Sequence, residues 1–244
     1  NDFDPQKDYV TYENRGQLDK VLTLKYEQLA NQVLEAYDNY QFDRVYRSIV
    51  SFMTNELSAF YLDYTKDILY IESANGAIRR SVQSTLYDAV FGMIKLLTPI
   101  IPHTTYEAYQ YLPGKHLENI YLEEMPKVYK PKDKKLLDAF GILDQVRNLA
   151  LKRLEEAREK KIIGKSLQAT LDLTVTHEQK QAMDLLDFKT HQVFIVSKVN
   201  LSVGEKLQVL VSPATGDTCD RCWNVVDHVH ENGLCDRCDK IVNG

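Results

Sequence analysis

The chain has 244 residues, 44% of them hydrophobic and 27% charged, at a formal net charge of −5. This is the composition of a globular chain with one large domain or two to three small ones, and no apolar run approaches the roughly 18 residues of a membrane span. The acidic balance excludes a uniformly basic nucleic-acid binder, yet residues 127–165 carry twelve Lys or Arg against six Asp or Glu, so a polyanion would be met locally.

Three apolar stripes of helical period come first. Leu18, Val21, Leu22, Leu29 and Val33 share one face; Phe42, Val45, Ile49, Met53 and Phe60 the next; Val82, Leu86, Ala89, Val90, Met93 and Leu97 the third. Each stripe is wide enough to pack on neighbours. Pro99 stops the third helix, and Pro102 suits the first turn of a fourth running to about Leu112, because proline lacks only an N–H that the first turn does not use. The four helices predict an antiparallel bundle. Pro113-Gly114 breaks the pattern, and residues 126–131 read as a basic linker.

A long helix follows, with Leu136, Phe140, Leu143, Val146, Ala150, Leu154 and Ala157 spaced by threes and fours until Gly164 ends it. The period then changes to 2. Leu167, Ala169, Leu171, Leu173 and Val175 alternate with Gln168, Thr170, Asp172 and Thr174, as a half-buried strand does. Residues 193–199 predict a second strand, and Leu207, Val209 and Val211 a third, with a short helix over 179–186 between the first two.

All four cysteines fall near the end, as Cys219-x2-Cys222 and Cys235-x2-Cys238. Each CxxC places two thiolates on one tight turn, and two such turns facing each other form the tetrahedral four-sulfur shell of a structural zinc ion. A catalytic zinc would keep one position open, whereas four thiolates close the shell. Two disulfides are the competing reading, but the remainder of the chain has no cysteine, shows no signal peptide and is large enough to need no staples. So short a module buries little core of its own, and the metal supplies its folding free energy. His228 and His230, between the pairs, read as solvent-facing loop residues, since the sulfur count is complete. Reduced thiols point to the cytosol.

The expected class is therefore α+β, mainly α: an antiparallel helical bundle over residues 1–126, a long helix plus a small mixed α/β unit over 127–212, and a four-cysteine zinc module over 213–244. Catalytic signatures are missing, with no Gly-rich phosphate loop, GxSxG or HExxH in the chain. Ile163-Gly164-Lys165-Ser166 has the look of a phosphate-loop end, but Glu159 stands where the upstream glycine is needed. Glu155 and Glu156 lie on a helix rich in Lys and Arg, where pairing one turn apart accounts for them without chemistry. The chain opens on Asn1 rather than Met, as a fragment or a processed product would.

Phe60-Tyr-Leu-Asp-Tyr-Thr-Lys-Asp-Ile-Leu-Tyr70, Ile78-Arg79-Arg80-Ser81, Leu96-Leu-Thr-Pro-Ile-Ile-Pro-His103 and Ile162-Ile-Gly-Lys-Ser-Leu-Gln-Ala169, followed by Cys219-Asp-Arg-Cys-Trp223 and Cys235-Asp-Arg-Cys238, occur in that order. The ordered set resembles the carboxyl-terminal part of bacterial isoleucyl-tRNA synthetase. The resemblance runs from about residue 18 to the end. It implies an anticodon-binding bundle, a mixed junction domain and a zinc-binding end reaching the anticodon region of isoleucine tRNA. The HIGH and KMSKS signatures and the editing domain of that family are absent, so the chain alone is expected neither to activate isoleucine nor to edit. Implied partners are isoleucine tRNA and the catalytic and editing domains of a parent ligase; the implied state is a cytoplasmic monomer with one structural zinc. The family often reads Lys-Asp-Arg where this chain has Lys66-Asp67-Ile68, and Trp where Tyr109 stands.

RNA loops are read by stacking on aromatic rings or guanidinium planes and by hydrogen bonds to base edges. Trp223, the sole tryptophan, adjoins a metal ligand. A rigid knuckle could present it as a stacking platform, or it could pack over the metal as a miniature core. Arg221 and Arg237 occupy equivalent places in the two knuckles, and each could meet RNA or pair with Asp220, Asp236 or Asp239. Residues 213–244 hold six Asp or Glu against three Lys or Arg, so readout there is geometric rather than a blanket positive field. Arg79, Arg80, Lys66, Lys161 and Lys165 are the backbone-contact candidates, each with an ordinary solvated charge as its plain counterpart. The rival from another class is a zinc-ribbon protein-interaction module on a helical scaffold.

Overall fold

Helix α1, Gln17–Asp38, turns Leu18, Val21, Leu22, Leu29 and Val33 inward as their spacing predicts, together with Ala30 and Ala36. In the computed structural model, which describes residues 2–114 and 116–244, α1 packs on α2, Phe42–Ser51, and on α4, Ala77–Leu97. Helix α5, Pro102–Gln110, starts on its proline and packs on α4. None of the described helices is long and apolar enough to cross a membrane.

The chain divides into two compact units. One comprises the residues up to Asp63 with Ala74–Asp133; the other comprises Tyr64–Ser73 with Lys134–Gly244. In the first, the packed side of α4 includes the small residues Ser81, Ser84, Thr85, Ala89 and Gly92 beside larger apolar ones. Ser84 and Thr85 are buried yet satisfied, because their hydroxyls donate back to the carbonyls of Arg80 and Ser81 at 2.8 and 3.0 Å. Asp19 is a buried carboxylate of this unit, accepting from Tyr61 Oη at 2.6 Å and from Ser81 Oγ. Burial pushes its carboxyl above the ordinary value, against the pull of those hydroxyls.

At Gly92, α4 comes close to the Tyr26 side chain of α1. A Cβ there would stand 1.8 Å from Tyr26 Oη, and Tyr26 is itself buried. Gly92→Ala therefore displaces an enclosed ring rather than a flexible surface group. The expected cost is about 1–3 kcal/mol, read as a lower urea midpoint at unchanged slope; wild-type stability would contradict the close approach.

The second stripe departs from expectation in part. Val45, Ile49 and Phe60 are buried, but Phe42 is 51% and Met53 44% exposed. The helix continues beyond Ser51 as a π-helical segment, Phe52–Leu62, before α3, Asp63–Ile71. Hydrogen bonding to the fifth residue widens the turn, so the inward face steps from Phe52 to Leu57 and Met53 drops out of phase. Val90 of α4 also turns outward, at 36% exposure. Residues 126–131 form neither helix nor strand, and Tyr129 N–H and C=O are both bonded to the Asn31 side chain at 2.8 Å.

In the second unit, α6, Lys134–Glu159, buries Leu136, Phe140, Leu143, Val146, Ala150, Leu154 and Ala157, every residue of its stripe. It ends before Gly164. Lys161 takes the left-handed conformation at φ 57°, and the bonds Ile162 N–H to Ala157 O and Lys161 N–H to Arg158 O close a Schellman cap.

Strand β1, Ala169–Val175, starts two residues later than its alternation suggests because Ser166–Gln168 form a 3-10 turn. It is the centre of a three-stranded sheet, parallel to β2, Lys198–Val203, and antiparallel to β3, Gln208–Pro213. Ala169, Leu171, Leu173 and Val175 face the core, and α6 packs on the sheet. The parallel pair needs a crossover, which α7, His177–Leu186, and α8, Thr190–Phe194, provide. Thr176 and Gln179 start α7 with a reciprocal capping box.

The strand expected over 193–199 is thus a correction. Val193, Phe194 and Val196 are all fully buried, and an apolar run without alternation fits a buried helix as well as a strand. Here it ends a short helix, turns at Ile195 with φ 56°, and enters β2 at Lys198. The expected class stands: mainly helical, with a small mixed sheet and a four-cysteine end.

Candidate metal centre and nucleic-acid interface

A two-residue antiparallel ribbon begins the terminal module, with β4, Asp217–Thr218, paired to β5, Val225–Val226. Cys219 and Cys222 lie in the turn between these strands. Cys235 caps α9, Asp236–Asn243, and Cys238 sits in its first turn. Gly233, at φ 76°, lets the chain pass close beneath the first knuckle, where a Cβ would stand 2.2 Å from an Asp220 carboxylate oxygen. Asp220 N–H bonds to Gly233 O at 3.0 Å, joining the two halves.

The four sulfur atoms lie within 4.8 Å of one another, and all four cysteines are buried. Cys222 Sγ and Cys235 Sγ are 3.8 Å apart. A disulfide would bring them to about 2.05 Å, whereas metal–sulfur bonds of about 2.3 Å in a tetrahedron give sulfur–sulfur edges of about 3.8 Å. The cysteines are free, and the donor set fits a four-coordinate thiophilic cation.

Charge points the same way. Burial opposes the Cys219 thiolate, but the backbone N–H groups of Cys222, Cys235 and Arg221 outweigh it and bring the thiol down to about 6. Burial pushes Cys235 up, and Cys238 up to about 12. Left to themselves Cys235 and Cys238 keep their protons; a divalent cation is what favours the full thiolate set. Arg221 has its Nη1 buried without a hydrogen-bond partner among the described residues, a positive group fitted to a site of net negative charge.

The apolar filler around the sulfur cluster is Ile71, Val226, Val229, Leu234 and Ile241. Trp223 is not part of it. It is 65% exposed and sits at φ 62°, with its N–H bonded to Cys219 O at 2.9 Å. Of the two roles open from sequence, the geometry leaves the ring facing outward from a rigid turn. His228 and His230 are exposed as expected, and His230 Nε2 lies 3.0 Å from Asp236.

Arg237 is engaged within its own unit. Its Nη1 and Nη2 donate to the two oxygens of Asp67 at 2.7 and 2.6 Å, and Glu72 lies 3.7 Å away. Asp67 also accepts from Gln192 Nε2 at 2.7 Å. Burial works against this carboxylate, yet the Arg237 guanidinium and the Gln192 amide hold its pKa below the ordinary value. Lys66 is exposed on α3, and Lys161 and Lys165 are exposed between α6 and β1.

Arg79 and Arg80 open α4 in the other unit. Arg79 forms an ion pair with Asp2 and donates to Ala74 O at 3.0 Å. Arg80 is buried and donates to Asp2 O, Gln83 and Asn75 at 2.8, 2.9 and 2.9 Å. Both arginines anchor the amino-terminal segment.

Residues 19–175 match the family described as the anticodon-binding domain of tRNA ligase. The chain belongs to that family. Proteins similar to this member along nearly its whole length are isoleucine–tRNA ligases. That of Acholeplasma laidlawii strain PG-8A is 48% identical over 244 residues, 99% of this chain and 27% of the relative. The ligase of onion yellows phytoplasma strain OY-M is 42% identical over 98% of this chain and 27% of its own length, and that of Bacillus cytotoxicus 40% identical over 99% and 28%. The chain thus spans little more than a quarter of these relatives. Sequence reasoning missed Asp67 as the partner of Arg237 and Ile71 as filler beside the sulfurs, because neither residue lies near the cysteines in sequence.

Proposed function

We propose that this chain is the tRNA-binding part of an isoleucine–tRNA ligase and that it positions the anticodon stem-loop of isoleucine tRNA for aminoacylation carried out elsewhere in a parent enzyme. The observation that carries the reading is the family match over residues 19–175 together with 40–48% identity to isoleucine–tRNA ligases across nearly the whole chain. The work assigned to the chain is binding and orientation: phosphate contacts set affinity and its salt dependence, and contacts to unstacked loop bases set discrimination.

In this reading Cys219, Cys222, Cys235 and Cys238 hold one zinc ion, which when bound fixes the fold of residues 213–244 and takes no part in bond making. Trp223 is the stacking platform. Lys66, Lys161 and Lys165 serve the phosphate backbone, and Arg221 neutralises the metal–thiolate cluster. Arg79, Arg80 and Arg237 are already spent on carboxylates and carbonyls of the chain itself, which argues against them as primary RNA contacts.

Trp223→Ala tests the reading. Loss of one stacked base costs about 1–3 kcal/mol, so affinity for isoleucine tRNA should fall about 5- to 150-fold with the salt slope unchanged. A variant that binds as the wild type does would remove Trp223 from the interface.

A further inference from the structure

The geometry points to Arg237 as a positioning residue: through Asp67 it locks the metal knuckle onto helix α3, and it acts on RNA binding by aligning Trp223 rather than by touching RNA. The inference rests on the reading of the knuckle as an RNA-facing end, and it goes beyond it by assigning Asp67 and Arg237 a joint role.

Arg237 stands between the ligands Cys235 and Cys238 on the first turn of α9, so fixing its guanidinium fixes the second half of the metal shell. Its partner is a bidentate carboxylate, the geometry in which a guanidinium loses least freedom per bond formed. Asp67 is held in turn by Gln192, a buried residue of α8. One carboxylate therefore ties together α3, α8 and α9. Ile71, one helical turn beyond Asp67, packs directly against the cysteines, so the polar clamp and the apolar contact lie side by side. Fork geometry of this kind leaves the Arg237 donors facing Asp67 committed, with no free edge there for phosphate.

The test is a double-mutant cycle on the 244-residue chain loaded with zinc: Arg237→Ala, Asp67→Ala, the double variant, and Asp67→Asn as a milder change that keeps the side-chain shape. Two readouts need no RNA. Trp223, the only tryptophan, reports the order of the knuckle by fluorescence anisotropy, and zinc transfer to a chelator reports the security of the shell. The third readout is affinity for an isoleucine-tRNA transcript against salt. The clamp predicts that both single variants and the double variant lose zinc about tenfold faster, the scale of a support one shell out from a metal, with Asp67→Asn between them and the wild type. Trp223 anisotropy should fall equally in the three alanine variants. RNA affinity should weaken by one common factor, with the salt slope unchanged.

A direct phosphate contact predicts otherwise: Arg237→Ala alone weakens binding and lowers the salt slope by about one, while Asp67→Ala matches the wild type in every readout. That pattern overturns the clamp. Failure of the wild-type chain to bind tRNA, with anisotropy and zinc loss still following the cycle, would sink the proposed function and leave the clamp standing.

Discussion

Replacing Cys235 with serine should release the metal and unfold residues 213–244 while the helices of the other unit persist. Apart from the Arg237–Asp67 clamp, the module has little else to hold it. Its ribbon is two residues per strand, its helix is eight residues long, and its filler is five partly or fully buried apolar side chains around the sulfurs. An isolated helix of that length is not stable in water. Structural zinc in modules of this size contributes about 10–16 kcal/mol of apparent binding free energy at neutral pH, larger than the net stability of a typical domain. Serine at 235 removes one of the four ligands while keeping the backbone N–H that donates to Cys219 Sγ at 3.3 Å, so what is lost is the metal bond itself. Metal content, proteolysis of the carboxyl-terminal segment and Trp223 fluorescence check this together. One retained equivalent of zinc, or a chelator-treated chain whose terminal segment stays protease-resistant, would contradict the account of the module as metal-folded.

Phe194→Ala should be the most damaging single truncation in the mixed part of the chain. The side chain is fully buried at the end of α8, directly before the left-handed turn at Ile195 that starts the path into β2. Truncating a fully enclosed phenylalanine removes its transfer free energy and leaves a cavity that the surroundings fill only partly, a loss of about 3–5 kcal/mol. The effect should reach beyond packing, because Gln192 stands two residues earlier on the same short helix and supplies one of the three hydrogen bonds to Asp67. Urea unfolding of the variant should show a lower midpoint at wild-type slope. A change below about 1 kcal/mol, the scale of a tolerated surface substitution, would mean that the region repacks around the missing ring.

Local signals read well in this chain and distant ones did not. The cysteine spacing identifies the four sulfurs because each CxxC is a property of one turn. The α6 stripe and the β1 alternation held because a single face of each element meets the core along its length. The π-helical segment leaves no mark in the sequence, since a period of 3.6 cannot reveal where the turn widens, and that period points Met53 inward. Residues 193–199 offered hydrophobicity without a period. The charged candidates were the least legible. For Arg237 the sequence offers Asp220, Asp236 or Asp239 as partners, whereas Asp67 binds it from 170 residues away; Arg79 and Arg80 read as solvated charges until Asp2 meets them from 77 and 78 residues away. Ion pairing at such separation is decided by tertiary packing, and no composition shift marks the ten residues Tyr64–Ser73 that belong with the later part of the chain.

The proposed function requires isoleucine tRNA to be read through a metal-ordered knuckle. Its most direct test is binding of the chain to isoleucine tRNA beside valine tRNA, at two salt concentrations, with and without zinc. The account predicts preference for isoleucine tRNA that weakens when zinc is removed, above a salt-sensitive background common to both. Equal binding to the two tRNAs, unchanged by zinc, would contradict it.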